Sequence, residues 1–336
     1  MLITYDHISA NKRKTMLLVL AFPLSFCLLL VLIFYGLAFL AHDNGVHQVA
    51  IHYNAEGLPY VVKQDYVSIA TENLKTIIPI TFGAVFVWVI VSYFFGGKML
   101  LSFSGASKLE KKDNPEVYRL VENLAISRGL PTPSIYVIPD ESLNAFATGR
   151  DPEHAVVALT TGIVRKLNKV ELEGVLAHEL AHIENRDITL MLIAVAGISF
   201  FTIIGGLVFR SIGRTSGRKG KGVGIIFMVG VVFLIFGYLV APLIRLALSR
   251  NREYLADSTA ALITRNPGAL ASALEKISAD SRVEALDKQP SMAVMCIETP
   301  LASQHSVFGL LSGITATHPP VVSRIAALRQ MDSRGA

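Results

Sequence analysis

The pattern His178-Glu179-x-x-His182 constrains this chain more than any other feature, because it demands a helix of one particular kind. Residues four apart lie one above the other on a single helical face. Two imidazoles so placed can reach one metal ion, and the carboxylate of Glu179 stands beside them to take a proton from metal-bound water. The stretch Asn168 to Asp187 carries its own start signal: Asn168 can cap the first turn, and Glu171 can reach back to it as a capping box. Leu172, Val175, Leu176, Leu180 and Ile183 then supply an apolar stripe at helical spacing. Alone, the pattern also fits two histidines on the surface of an amphipathic helix. A third ligand is what separates the two readings.

That ligand is offered by Ser249 to Ala260, SRNREYLADSTA. A metal centre that keeps an open position needs three protein ligands. Glu253 is the candidate third, and Asp257 follows it by one turn on the same face. A metal-bound histidine usually donates its other ring N–H to a carboxylate, which fixes its tautomer and orientation. Asp257 and Asp187 are the candidate carboxylates for that task. Read in isolation, Arg252 and Glu253 would simply face water.

Together, HELAHIENRD and SRNREYLAD resemble the HtpX family of membrane-embedded zinc endopeptidases. The resemblance extends over nearly the whole chain, from the opening YDHISANKRKT through NAFATG (Asn144 to Gly149) to THPP (Thr317 to Pro320). It implies an α+β gluzincin zinc-peptidase domain, mainly helical with a small sheet, carried on about four transmembrane helices. It also implies one Zn(2+) per chain held by His178, His182 and Glu253, with Glu179 as general base and Asp257 supporting a zinc histidine. NAFATG corresponds to the edge strand of the substrate cleft, so Asn144, Ala145, Phe146 and Ala147 are the candidate substrate-binding residues. His318 is a candidate transition-state hydrogen-bond donor, and a plain helix-start residue fits it equally. The implied role is quality control of misfolded or damaged membrane proteins, under stress, in a prokaryotic cell membrane. One departure is Ala41 to Thr76, longer than a tight turn between the first two membrane helices.

Composition agrees with a membrane protein. Of 336 residues 52% are apolar and only 17% charged, and the mean hydropathy is +0.49. A soluble chain of this size carries about 25% charged residues. The net charge of +5 therefore reads as basic residues flanking membrane helices, with no nucleic-acid partner. Cys27 and Cys296 lie in dissimilar surroundings, and we expect neither a disulfide nor a cysteine metal site. The first apolar run is too long for a signal-peptide core and lacks a small-residue cleavage site.

Residues 1–15 end in the basic cluster Asn11 to Lys14, which places them in the cytoplasm. Residues 16–40 are the first span. Residues 41–76 are acidic on balance and form an external loop; VHQVAIHY, the turn NAEGLP and YVV predict a β-hairpin there. His42, His47 and His52 share the loop, but five-residue spacing suits neither a helix nor a strand face. Residues 77–95 are the second span, and residues 96–187 the first half of the catalytic domain. In that half Asn114-Pro115 starts a helix ended by Gly129, and short strands are expected at Ser134 to Ile138, Leu143 to Thr148 and His154 to Leu159.

Residues 188–209 and 223–248 are two further apolar segments joined by a basic turn, 210–222. The second half of the domain, residues 249–336, follows. It has a helix break at Asn266-Pro267-Gly268, an aperiodic stretch 282–313 that reads as a flap, and a closing helix, Val321 to Met331. One ion must be shared by residues 178 and 253, so the intervening hairpin must enter the membrane and return. Its basic turn, without an acidic residue, conflicts with the positive-inside rule. We take the shared metal as the stronger constraint. The expected partners are unfolded or misfolded membrane proteins and membrane lipid, with the oligomeric state open.

Two alternatives stand beside this reading. A prenyl-protein processing protease shares the motif but resembles a larger helical chamber than four apolar segments build. A catalytically silent metal-binding scaffold would not need Glu179.

Overall fold

The computed structural model describes residues 2–43, 48–53, 58–64, 66–215, 251–280, 296–297 and 319–335. The chain divides into two compact units. One comprises Met1–Met16, Val91–Ser199 and Val240–Ala336; the other comprises Leu17–Ile90 and Phe200–Leu239. The predicted turn beyond residue 215, the apolar segment 223–248 and His318 lie outside the described residues. So does the predicted flap, except for Cys296 and Ile297.

Helix α1 spans Leu2–Asp43 and begins well before the predicted apolar span, because no proline or glycine interrupts residues 2–22. Helix α2 spans Tyr66–Phe103, so residues 66–76 of the predicted loop are helical. Between them β1 (Gln48–Tyr53) and β2 (Pro59–Gln64) pair antiparallel, Gln48 opposite Gln64 and Tyr53 opposite Pro59. Among the described residues, Ile8–Leu40 of α1 and the whole of α2 are long and apolar enough to cross a membrane. Within the Leu17–Ile90 unit, Leu24, Leu28, Leu32, Phe39, Ile80 and Val87 are exposed. Exposed large apolar side chains in this number suit hydrocarbon rather than water. Phe26 and Trp88 meet Phe200 of α6 (Asp187–Thr215), with ring centroids 5.2 and 5.7 Å apart.

The other unit is built on a four-stranded mixed sheet of order β3-β4-β6-β5: Ser107–Lys108, Ser134–Ile138, Val156–Thr160 and Ala145–Thr148. Strands β4 and β6 are parallel and the other pairings antiparallel. Two strands start later than the sequence predicts, for local reasons. Asn144 Oδ1 accepts from the Ala145 amide at 2.9 Å, holding a turn before β5. Asp151 Oδ1 accepts from the His154 amide at 2.8 Å, which winds Pro152–His154 into a 3-10 turn before β6.

Helix α3 (Pro115–Ser127) is capped by Asn114, whose Oδ1 accepts from Val117 N at 3.2 Å. Helix α4 (Thr161–Lys166) is capped by Thr160. Helices α5 (Lys169–Glu184), α7 (Asn251–Thr264), α8 (Pro267–Ala279) and α9 (Val321–Gly335) belong to the same unit. A single apolar core joins them to the sheet, with Val121, Val157, Leu159, Leu176, Leu180, Leu270, Leu274 and Leu328 buried in it. Gly174 lets α5 and α8 approach closely: a Cβ there would stand 3.2 Å from the backbone of Leu270.

Candidate metal centre

Helix α5 starts as the sequence predicts. Asn168 Oδ1 accepts from Glu171 N at 3.0 Å, and Glu171 Oε2 accepts from Asn168 N at 2.9 Å. The Glu171 carboxylate also takes Ser272 Oγ and Lys276 Nζ, each at 2.7 Å. Burial and these donors act in opposite directions on its pKa; the donors prevail and hold it below the usual range. The cap thereby ties α5 to α8 as well as starting it. Helix α5 is buried on nearly every side beyond its first turn, so His178, Glu179 and His182 face protein rather than water.

His178, Glu179 and His182 are all buried. The two imidazoles stand edge to face, centroids 4.7 Å apart, with their Nε2 atoms separated by 3.2 Å. Helix α7 brings Glu253 to them: Oε2 lies 3.8 Å from His178 Nε2, and Oε1 3.8 Å from His182 Nε2. One ligand atom from each residue can thus be chosen so that all three lie within 4.8 Å of one another.

Each ring has a carboxylate at its rear. Asp257 Oδ1 lies 3.0 Å from His178 Nδ1, and Asp187 Oδ2 lies 2.8 Å from His182 Nδ1. A carboxylate there keeps the proton on Nδ1, which leaves both Nε2 atoms as lone-pair acceptors pointing at each other. With both rings neutral, two acceptors at 3.2 Å, with a carboxylate 3.8 Å from each, repel unless a proton or a metal cation lies among them. Around a tetrahedral ion with bonds of about 2.0–2.1 Å, two nitrogens sit about 3.3 Å apart. The donor set fits a divalent cation.

Burial sets the electrostatics. It drives His178 down to about 4, with Asp257 opposing and His182 adding to the drop. At His182 burial acts downward too, but the carboxylates of Glu253 and Asp187 outweigh it and the pKa is raised. Glu179 is pushed up to about 7 by burial, with His182 and the hydrogen-bonding Ala147 amide opposing and Glu253 adding to the rise. A buried carboxyl tuned near neutrality, beside two metal-type imidazoles, is equipped to exchange protons.

Strand β5 lies along the same helix. Asn144 and Ala145 to Ala147 are all buried. The Asn144 carbonyl accepts from Thr160 N of β6 at 3.1 Å, and by strand alternation the Ala145 carbonyl points the other way. There it accepts from Ile297 N at 3.0 Å, so the outer edge of β5 already carries a backbone partner at this position. The Asn144 side chain is engaged with its own strand turn at the Ala145 amide.

Two buried arginines escaped sequence reading. Arg324 of α9 pairs with Asp257, and Nη2 comes within 3.5 Å of His178 Nε2. Arg252 lies 3.6 Å from Glu253 Oε1 and 3.9 Å from Asp187 Oδ1 instead of facing water. Each stands beside an acidic group of the centre, which is what makes burial of a guanidinium tolerable. The signal for Arg324 was its position on the predicted closing helix behind HPP; no spacing rule ties it to residue 257.

Residues 111–332 match the model of "Peptidase family M48". A "Protease HtpX homolog" of Bacteroides fragilis (strain ATCC 25285) is 40% identical over 283 residues, 81% of this chain and 88% of that protein. One from Tropheryma whipplei (strain Twist) is 41% identical over 245 residues, 73% of this chain and 82% of that one. One from Lactobacillus helveticus (strain DPC 4571) is 36% identical over 336 residues, 97% and 99% of the two chains. The crystal structure of S. mikatae Ste24p superposes with a TM-score of 0.43 at 21% identity, over 72% of this chain and 56% of that one. With matches of this length and a metal-type cluster inside the matched region, the chain belongs to peptidase family M48 and, within it, to the HtpX proteases: it is a membrane metalloprotease.

Proposed function

We propose that the chain is a zinc-dependent endopeptidase of the gluzincin type that cleaves misfolded or damaged membrane proteins at the cytoplasmic face of a prokaryotic cell membrane. The observation that carries this reading is the convergence of two Nε2 lone pairs and the Glu253 carboxylate on one buried point, with Glu179 beside it. Two imidazoles and one carboxylate are the donor set of a hydrolytic zinc site with an open fourth position. When bound, one zinc ion per chain supplies Lewis-acid polarisation of the scissile carbonyl and lowers the pKa of its water to about 7.

The chain's own residues do the rest. Glu179 accepts the proton of the attacking water and returns it to the leaving amine. Asp257 and Asp187 hold the two imidazoles in the ligating tautomer. Strand β5 binds an extended substrate by strand addition, with the Ile297 amide giving up the Ala145 carbonyl, which reads main chain more than side chain and gives broad specificity.

The topology we propose has residues 1–15 inside, 16–40 and 77–95 spanning, 41–76 outside, and 96–187 and 249–336 together as the cytoplasmic catalytic domain. Residues 188–209 and 223–248 cross as a hairpin, which puts the basic turn 210–222 outside. The two identified apolar helices and the basic cluster ahead of the first support this arrangement.

The test is cleavage of an unfolded membrane protein by purified enzyme in detergent or liposomes. Cleavage should stop with a chelator and return on adding zinc. Cleavage indifferent to chelation, or none from metal-loaded protein, would refute the reading.

A further inference from the structure

In the sequence the stretch around Asn11 stands out only for its charge. Its neighbours Lys12 and Arg13 are exposed, as a basic cluster should be, but Asn11 is buried at 8% exposure. Its side chain points into the join between α5 and α6. Nδ2 donates to the Asn185 carbonyl at 3.0 Å and to Asp187 Oδ1 at 2.7 Å. Both partners are acceptors only, so the amide nitrogen, with its two hydrogens, is the atom that chemistry requires there. Both of its donors are used.

The join is unusual in itself. Helix α5 ends with Asn185 in the right-handed region, Arg186 adopts φ 58°, and Asp187 opens α6. A non-glycine residue in the left-handed region persists where its surroundings hold it. Asn11 grips the residue on either side. Asp187, fully buried, turns its other oxygen to His182 Nδ1 at 2.8 Å. A continuous path of hydrogen bonds therefore runs Asn11, Asp187, His182, and ends at the atom that faces the metal position.

Resting on the metal-site reading above, we propose that Asn11 is a positioning residue of the metal centre. It fixes the Asp187 carboxylate, and through it the His182 ring. The helix that makes the first candidate span thereby contributes a supporting side chain to the protease's metal site.

The test compares full-length protein with Asn11→Leu, which keeps the volume and removes the donor. Asn11→Asp is the second variant: it keeps size and polarity and sets a carboxylate against Asp187. Lys12→Ala serves as the exposed control. Zinc affinity is read by competition with a chromogenic chelator, the visible spectrum by cobalt substitution, and kcat and KM on one peptide. Outer-shell partners are worth about 10- to 100-fold in metal affinity or activity, and the lower end is expected here because Asn11 acts through Asp187.

Both Asn11 variants should bind zinc about 10-fold more weakly, with an altered cobalt spectrum, lowered kcat and unchanged KM. The combination of Asn11→Leu with Asp187→Ala should be no worse than Asp187→Ala alone. Wild-type zinc affinity and cobalt spectrum in both Asn11 variants would overturn the proposal and leave the metal site intact. So would losses that add in the double variant, the mark of general destabilisation. A wild-type protein that holds no zinc would remove the site and the proposal together.

Discussion

Arg324 grips Asp257 side-on, Nε to Oδ2 at 2.8 Å and Nη2 to Oδ1 at 2.7 Å. The guanidinium is fully buried, and its remaining nitrogen donates to the Ile297 carbonyl at 2.9 Å. A planar fork against a planar carboxylate sets direction as well as charge. Asp257 in turn stands behind His178, so Arg324 sets the plane in which that imidazole is held.

Removing one member of a buried ion pair costs about 3–5 kcal/mol, because the other is left charged and dry. Arg324→Met should therefore destabilise the catalytic unit by about that amount. Arg324→Lys should recover only part of the loss, since an ammonium cannot engage both oxygens. Thermal unfolding in detergent measures both; a wild-type melting temperature for Arg324→Met would exclude this role.

Acid should weaken the same pair. Burial raises the Asp257 pKa, but Arg324 and His178 overcome that and hold it at about 2, below the ordinary 3.8. A depressed acid stabilises the fold above its unfolded pKa and loses that contribution as pH falls through the folded one. The contribution of Asp257 is thus complete above about pH 4 and fades towards about pH 2. Asp257→Asn should flatten this limb in acid titrations of stability.

Glu179→Gln should abolish peptide cleavage while zinc content stays at the wild-type level, because all three ligands remain. Retained turnover would remove Glu179 from the mechanism. Glu253→Ala should instead lose the metal, and Asp257→Ala should weaken metal binding about 10- to 100-fold. Metal analysis of Glu253→Ala at full occupancy would point to a different third ligand.

Metal affinity should rise with pH. In the metal-free protein Glu179 titrates near 7, burial being the main cause, and the pKa of His182 is raised. Protons on these groups oppose a cation and must leave as it binds. Competition against a chelator should show tighter zinc binding at pH 8 than at pH 6. A pH-independent constant would contradict the charge state derived for the site.

Sidedness is open to cysteine labelling in a variant whose Cys27 and Cys296 are replaced. Ser68 and Ser278 are both exposed on helices. An impermeant reagent should reach a cysteine at Ser68 in intact cells and miss one at Ser278. It should also reach one at Ser216 if the hairpin crosses; labelling there only after permeabilisation would show that it does not.

What was legible in the sequence was local. The capping box of Asn168 and Glu171 uses a fixed three-residue spacing, and so does Asn114 with Val117. The pair His178 and His182 uses the helical repeat, and Glu253 with Asp257 repeats it on α7. Strand β4 was legible to the residue, but β3, only Ser107–Lys108, is too short to carry a period. Arg324 and Asn11 were illegible for a different cause. Each reaches the centre across a large gap in sequence, where no repeat applies. Their burial follows from packing, not from hydropathy: both residue types ordinarily read as surface. The partner of Ala145 at Ile297 was hidden likewise, because a backbone hydrogen bond leaves no mark on side-chain identity.

The separation of 146 positions between His178 and Arg324 has a consequence for the order of synthesis. The ribosome releases both histidines, Glu179 and Glu253 well before residue 324. Until then Asp257 has no guanidinium, and the His178 ring has no fixed backing. A membrane metalloprotease is surrounded, while being made, by its own unfolded sequence. Placing the arginine so late delays a fully assembled centre until the domain that contains it has been translated.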